Sequence, residues 1–329
     1  MSLPDDGRTR PMISVICPCY NEEEVIPAFY ERLTDELRAL HAETDYRIVF
    51  VDDGSQDRTL DVLIGMAGRD ERVSVYSLSR NFGHQAALCA GLEVARGDAI
   101  ILMDSDLQHP PALIPGLLAK WKEGYDVVTA VRKETEGSSW WKRWTSSTFY
   151  KVFNALSHTY IVPGAADFCL LSREVCDALN RMPEQHRFIR GMISWLGFKR
   201  ACVEYRADLR AGGASKYSFS RMLHLALDAV FSFSIKPIRL AFHVGLLFIA
   251  FSVAYFCYIV ARYFYVGDLI AGWGSMMCVL LASSGVNLLC LGILGEYLAR
   301  TYEQVKTRPR YVFRALTTRD KAGTPNGKN

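Results

Sequence analysis

At 329 residues the chain exceeds one average domain, and its 50% hydrophobic content is at the upper end for a soluble globule. A formal charge of +3 is too small to argue for nucleic-acid binding, so the basic residues matter by position and not by sum. Nine cysteines include no Cys-x-x-Cys pair, which argues against a zinc or disulfide framework and leaves Cys17 and Cys19 as small buried apolar residues on a strand end.

Met1 to Pro11 is polar with no apolar core, so a flexible N-terminus without a cleaved signal peptide is expected. Ile13 to Cys17 then reads as a strand, Glu23 to Leu40 as a helix, Arg47 to Val51 as a strand and Thr59 to Ala67 as a helix. Val73 to Leu78 follows as a strand, Gln85 to Ala95 as a helix and Ala99 to Met103 as a strand. This alternation predicts an α/β fold with a mainly parallel sheet flanked by helices. In such sheets ligands sit beyond the carboxyl ends of the strands. The polar clusters fall there: Pro18 to Glu22, Asp52 to Ser55, Ser79 to Gly83 and Asp104 to Gln108.

Val127 to Ala130 reads as a further strand leading to Arg132, and Glu134 to Lys142 as a loose polar stretch. Trp140, Trp141 and Trp144 suit either a membrane-surface contact or a packed helix. Ser218 to Leu240 spaces its apolar residues at helical intervals and reads as an amphipathic interfacial helix. Leu240 to Val260 and Leu269 to Gly295 carry no formal charge, and each is long enough to cross a hydrocarbon layer of about 30 Å. Two soluble core helices are the alternative, but those show a polar stripe at this length.

Lys236 and Arg239 precede the first span and Arg300, Lys306, Arg308, Arg310 and Arg314 follow the second, against Arg262 alone in the connecting loop. The positive-inside rule puts both flanks, and with them both termini, in the cytoplasm, so a multi-pass protein of the inner (cytoplasmic) membrane is expected. The predicted organisation is a flexible 1–11, a cytosolic catalytic domain over 12–217 and an interfacial helix over 218–239. Two membrane helices within 240–298 (about 240–261 and 270–295) and a cytosolic tail over 299–329 complete it.

Asp104 and Asp106, one residue apart just past a buried strand, make a hard-oxygen site for Mg²⁺ or Mn²⁺ that leaves positions open for substrate phosphates. By itself such an acidic pair also fits a solvated turn. Ser14 to Glu22 (SVICPCYNE), Val51 to Thr59 (VDDGSQDRT) and the Asp-x-Asp of Asp104 and Asp106 together resemble the inverting GT-A glycosyltransferases of family 2. Arg80 to Gly83 (RNFG), Gly164 to Phe168 (GAADF), Arg210 to Tyr217 (RAGGASKY) and Gly292 to Tyr297 (GILGEY) resemble its polyprenyl-phosphate branch. That branch includes bactoprenol glucosyltransferases and dolichyl-phosphate mannosyltransferases, and the likeness spans roughly Ile13 to Tyr311.

The resemblance implies a GT-A domain followed by the interfacial helix and a two-helix transmembrane hairpin. It implies that Asp52 and Asp53 contact the nucleoside and that Pro18, Tyr20 and Glu22 line its pocket. The competing role for Asp53, an Asx turn opening the next helix, fits Asp57 better. Glu22 also fits a helix-terminal charge. Asp104 and Asp106 would face the donor diphosphate and its metal, with Gln108 a further ligand through its amide oxygen. Arg132 supports the same phosphates or stands in a surface ion pair. Arg210 and Lys216 would bind the acceptor phosphate at the bilayer surface, with unspecific attraction to anionic headgroups as the alternative.

Asp167 resembles the residue discussed as a catalytic base. A phosphomonoester has a second pKa of about 6, so little proton removal is required, and orientation of sugar or acceptor ranks ahead of base catalysis. His84 reads as a capping or packing residue. The implied function is inverting transfer of one hexose, first glucose from UDP-glucose, to undecaprenyl phosphate on the cytoplasmic leaflet of the bilayer, for envelope glycan modification. Mannosyl or aminoarabinosyl transfer is the alternative within the branch. A processive synthase would show Gln-x-x-Arg-Trp, which Gln185 to Arg190 (QHRFIR) breaks. A non-catalytic glycolipid-binding or translocating protein is the alternative of another class. Asn287 and Glu296 leave homo-oligomer contacts open.

Overall fold

The computed structural model describes residues 10–133, 165–185, 187–206, 236–266 and 272–317. Arg210, Lys216, the tryptophans at 140–144, residues 218–235 of the expected interfacial helix and the tail beyond Thr317 lie outside the described residues. Among the described residues, one compact unit holds the chain up to Arg206 and again from Pro309, and a second holds Lys236 to Arg308.

The first unit is built on an eight-stranded sheet in the order β7-β5-β6-β4-β1-β2-β3-β8. Its elements are β1 (Met12–Cys19), α1 (Ile26–Ala39), β2 (Asp45–Asp52), α2 (Thr59–Ala67), β3 (Val73–Leu78), α3 (His84–Val94) and β4 (Ala99–Leu102). A 3₁₀ turn (Pro111–Leu113) leads into α4 (Ile114–Lys122), then β5 (Val127–Lys133), β6 (Ala165–Ser172), α5 (Arg173–Arg181), α6 (Ile189–Leu196) and β7 (Arg200–Arg206). β8 (Phe313–Thr317) closes the far edge.

β1 to β5 and β7 run one way, whereas β6 and β8 run antiparallel to their neighbours, so the sheet is mixed and mostly parallel. Strands covered by helices on both faces read as continuous apolar runs, which is why β3 and β4 are buried throughout. α1 presents Ile26, Phe29, Leu33 and Leu37 at helical spacing to that sheet, and Phe29 meets Phe50 edge-on at 6.4 Å. Each such side chain contributes about 1.5–3 kcal/mol through burial. Cys17 and Cys19 are buried free thiols, as expected, and Cys89, Cys169 and Cys176 are buried as well.

The second unit contains α7 (Lys236–Val266) and α8 (Trp273–Val305), of 31 and 33 residues. At 1.5 Å per residue each is roughly 45–50 Å long, more than a bilayer core needs. Both are long and apolar enough to cross a membrane, over Ala241–Arg262 and Ala282–Val305 among the described residues. Phe242, Leu247, Phe251, Leu288 and Leu289 are all more than half exposed, as side chains destined for lipid would be. The Cys290 thiol reaches the Ala241 carbonyl at 3.8 Å, joining the two helices.

Candidate active site

Sheet direction decides which residues meet. β1, β2, β3 and β4 are parallel, so their C-terminal ends share one edge. β6 is antiparallel and brings its N-terminal end to the same edge. Leu102 pairs with Cys169, so continuing that register sets Asp104, two residues past the end of β4, beside Asp167, two residues earlier on β6. Arg132, near the C-terminal end of β5, comes to this edge as well, its strand paired with β6.

The loops after β1 and β2 are fastened to each other. The Asn21 N–H donates to Ser55 Oγ at 3.0 Å, the Gln56 N–H to Asn21 Oδ1 at 2.8 Å and the Glu22 N–H to Thr59 Oγ1 at 2.8 Å. Asp57 accepts from the Thr59 N–H at 3.0 Å, the Asx turn expected of it. Asp52 accepts from the Ser55 N–H at 3.1 Å and from Ser77 Oγ at 2.8 Å. Asp53 receives the N–H groups of Phe82 and Gly83 at 2.8 and 2.9 Å, one on each carboxylate oxygen. Both aspartates therefore hold the protein's own loops, with one lone pair left on each carboxylate oxygen. Pro18 ends within β1, and Tyr20 just beyond it is 40% exposed.

The Asp-x-Asp turn is held from below by Ser105, whose hydroxyl reaches the Pro18 carbonyl at 2.8 Å and also meets the Glu22 carboxylate. Burial, reinforced by Asp106 and Asp104 and only partly opposed by the Ser105 hydrogen bond, pushes Glu22 up to about 7. Leu107 takes a left-handed φ of 62°, unusual for leucine, and this turns Gln108 back onto Asp106. Gln108 donates its backbone N–H to Asp106 Oδ1 at 3.0 Å and its amide nitrogen to Oδ2 at 2.5 Å. The amide thus offers Asp106 its nitrogen and not the oxygen expected to serve as a ligand.

At the centre of the edge His84, the first residue of α3, lies between two carboxylates. Its Nε2 is 3.4 Å from Asp104 Oδ1 and 3.6 Å from Asp167 Oδ2. Arg190, from the start of α6, meets Asp167 Oδ1 with its Nε at 2.7 Å. The Asp104 N–H donates to His109 Nδ1 at 3.0 Å, and His109 stacks on Phe168 at 5.2 Å. Burial alone would lower the His84 pKa, but Asp167 and Asp104 outweigh it and hold the imidazolium above its usual range. For Asp167 burial raises, yet His84 and Arg190 prevail and keep the carboxyl below its usual range. Asp104 goes the other way, lifted by burial against the pull of His109 and His84.

Two tests bear on a metal. The buried Oδ1 of Asp104 makes no hydrogen bond, with His84 Nε2 3.4 Å away, so it keeps a lone pair that a cation would coordinate. Among the described residues no group of three His, Cys, Asp or Glu side chains is placed to enclose an ion alone. The donor set thus fits a hard cation that takes its remaining oxygens from substrate phosphates and water, and does not fit an all-protein cage.

The structure brings together Glu22, Asp104, Asp106, Gln108 and Asp167 of the residues singled out from sequence. It adds His84, His109, Arg190 and Ser105, and corrects the reading of His84 as a mere cap. The signal was present in part: His84 closes the Arg-Asn-Phe-Gly cluster at a strand end, where ligands of such sheets sit.

Two family models match the chain: Glycosyl transferase family 2 over residues 14–179 and the GtrB C-terminal hairpin over residues 236–301. An uncharacterized glycosyltransferase of Bacillus subtilis, YkcC, is 40% identical over 91% of this chain and 92% of its own. The prophage bactoprenol glucosyl transferase homolog of Escherichia coli is 38% identical over 92% of this chain and 99% of its own. Among solved structures, the Mycobacterium tuberculosis glucosyl-3-phosphoglycerate synthase with Mn²⁺, UDP and phosphoglyceric acid matches 67% of this chain and 76% of its own. Its TM-score is 0.47 at 18% identity.

Proposed function

This chain belongs to glycosyl transferase family 2, and we propose on that footing that it transfers a single glucose from UDP-glucose to undecaprenyl phosphate at the cytoplasmic membrane face. The observation that carries the proposal is the meeting of Asp104 and Asp167 on His84 at the carboxyl edge of the sheet, in a chain that also holds two membrane-length helices. A relative named bactoprenol glucosyl transferase, from Shigella phage SfII, is 38% identical over 92% of this chain and supports glucose over mannose or an aminosugar.

In the reaction a phosphate oxygen of the acceptor forms a bond to the anomeric carbon as the bond from that carbon to the diphosphate breaks, and the electron pair leaves with UDP. An α-linked donor gives a β-linked product. Asp104 and Asp106, with Gln108 once its amide turns, would hold Mg²⁺ or Mn²⁺, which when bound offsets charge on the departing diphosphate. Asp52 and Asp53 shape the nucleoside end by fixing the Ser55 and Phe82–Gly83 backbone, with Pro18 and Tyr20 beside them. Arg132 is assigned to the donor phosphates, and Arg210 and Lys216 to the acceptor phosphate. Asp167, kept anionic by Arg190 and His84, has little affinity for a proton and orients the acceptor or sugar in place of acting as a base.

Connectivity supports the topology. The chain leaves the sheet unit, passes through α7 and α8 and returns to pair β8 with β3, so both ends of the hairpin belong on one side of the bilayer. The basic flanks support the cytoplasm as that side.

Asp106→Asn separates a transferase from a lipid-binding protein. Glycosyl transfer is expected to fall by roughly 10²–10³-fold, the cost of losing one preorganised electrostatic contact, while undecaprenyl phosphate binding stays at the wild-type level. Transfer at the wild-type rate in that variant would overturn the assignment.

A further inference from the structure

The segment after the second apolar helix is fastened to the donor side of the site at three places. β8 pairs antiparallel with β3, Ala315 opposite Ser77 and Leu316 opposite Tyr76. The Ser79 N–H donates to the Val312 carbonyl at 2.8 Å. The Tyr311 hydroxyl donates to Glu93 Oε2 on α3, and the Tyr311 ring stands edge-on to Phe313 at 5.4 Å, with Phe313 in turn 5.8 Å from Tyr76. Burial, with Glu93 next, pushes the Tyr311 phenol far above its usual range, so it remains a donor at any physiological pH.

Each attachment lands on an element that carries part of the site. Ser77 holds Asp52. Ser79 opens the loop whose Phe82 and Gly83 N–H groups sit on Asp53. Glu93 lies near the far end of the helix that begins at His84, so a contact there fixes the direction in which His84 is presented. At its other flank the same helix is tied by Gln85, which accepts the Ile189 N–H at 3.1 Å. The C-terminal segment thus bridges β3, its exit loop and α3 together.

We propose that Tyr311 is a positioning residue for the donor half of the site, and that Tyr311–Thr317 acts as a strap setting β3 and α3 for sugar transfer. The proposal rests on the transfer reaction assigned above. The strap also makes the segment beyond the hairpin a component of the catalytic unit.

The test uses the full chain in detergent with UDP-glucose and undecaprenyl phosphate. Tyr311→Phe keeps the ring contacts and removes one hydrogen bond, so the donor KM is expected to rise about 3- to 10-fold while the lipid KM stays put. Glu93→Leu should match it, and Glu93→Gln, which keeps an acceptor, should stay near wild type. Amide exchange over Ser79–Val94 reads the strap without any turnover and is expected to speed up in Tyr311→Ala. Equal rises in both KM values, or unchanged donor KM and unchanged exchange, would overturn the strap. A wild-type chain that transfers nothing, yet exchanges faster in Tyr311→Ala, would remove the reaction and leave the strap standing.

Discussion

Ser105 has one hydroxyl hydrogen and two oxygen neighbours, the Pro18 carbonyl and the Glu22 carboxylate. The Ser105 hydrogen bond favours the ionised carboxylate, but burial, with Asp106 and Asp104, outweighs it and holds Glu22 at about 7. The sign of the linkage follows. The folded state keeps a proton that an unfolded glutamate has lost, so in chelated protein stability is full below about pH 4.3 and declines as pH rises toward 7. The loss is at most about 4 kcal/mol, and Glu22→Gln should remove it. Thermal unfolding with chelator from pH 5 to 8 checks this: the wild-type midpoint should fall more steeply than that of the variant, and parallel curves would contradict it. Arg190 belongs to the same scale. Arg190→Ala removes the 2.7 Å partner of Asp167, so kcat should drop at least tenfold with the donor KM little changed, whereas an unchanged kcat would detach Asp167 from the chemistry.

Among elements, α3 shows how close packing serves the site. Gly91 faces Ile16 of β1 so closely that any Cβ would collide with the isoleucine side chain. Gly91→Val should cost about 1–3 kcal/mol by overpacking and shift the helix that presents His84. A lowered unfolding midpoint together with reduced transfer is expected, and a variant with wild-type stability would refute the packing argument. Gly54 is under a second constraint, with φ at 68° and a Cβ position only 2.7 Å from Arg80 Cα. The first five strands and first three helices were readable because buried parallel strands and amphipathic helices differ in period. β6 was not, since Phe168 to Ser172 are buried without alternation and the segment was visible only as a motif. β8 was missed for another reason. Five residues after a long helix carry no periodic signal, and their pairing with β3 is non-local.

For the whole molecule, the sequence reading reached the two apolar helices, the Asp-x-Asp turn and Asp167, because each is local in the chain or carried by resemblance. The cluster of His84 and Arg190 around Asp167 depends on the β4–β6 register and on α6 meeting α3, which one-dimensional pattern does not encode. The family match makes the chain a glycosyltransferase, and the hairpin match falls on the two helices long and apolar enough to cross a membrane. The proposed reaction passes sugar from nucleotide to lipid phosphate. The direct measurement is to mix membranes containing the full chain with undecaprenyl phosphate and a panel of radiolabelled nucleotide sugars, and to count label in the lipid fraction. Label from UDP-glucose, lost on chelating divalent metal, is the predicted result, and unlabelled lipid with every donor would contradict it.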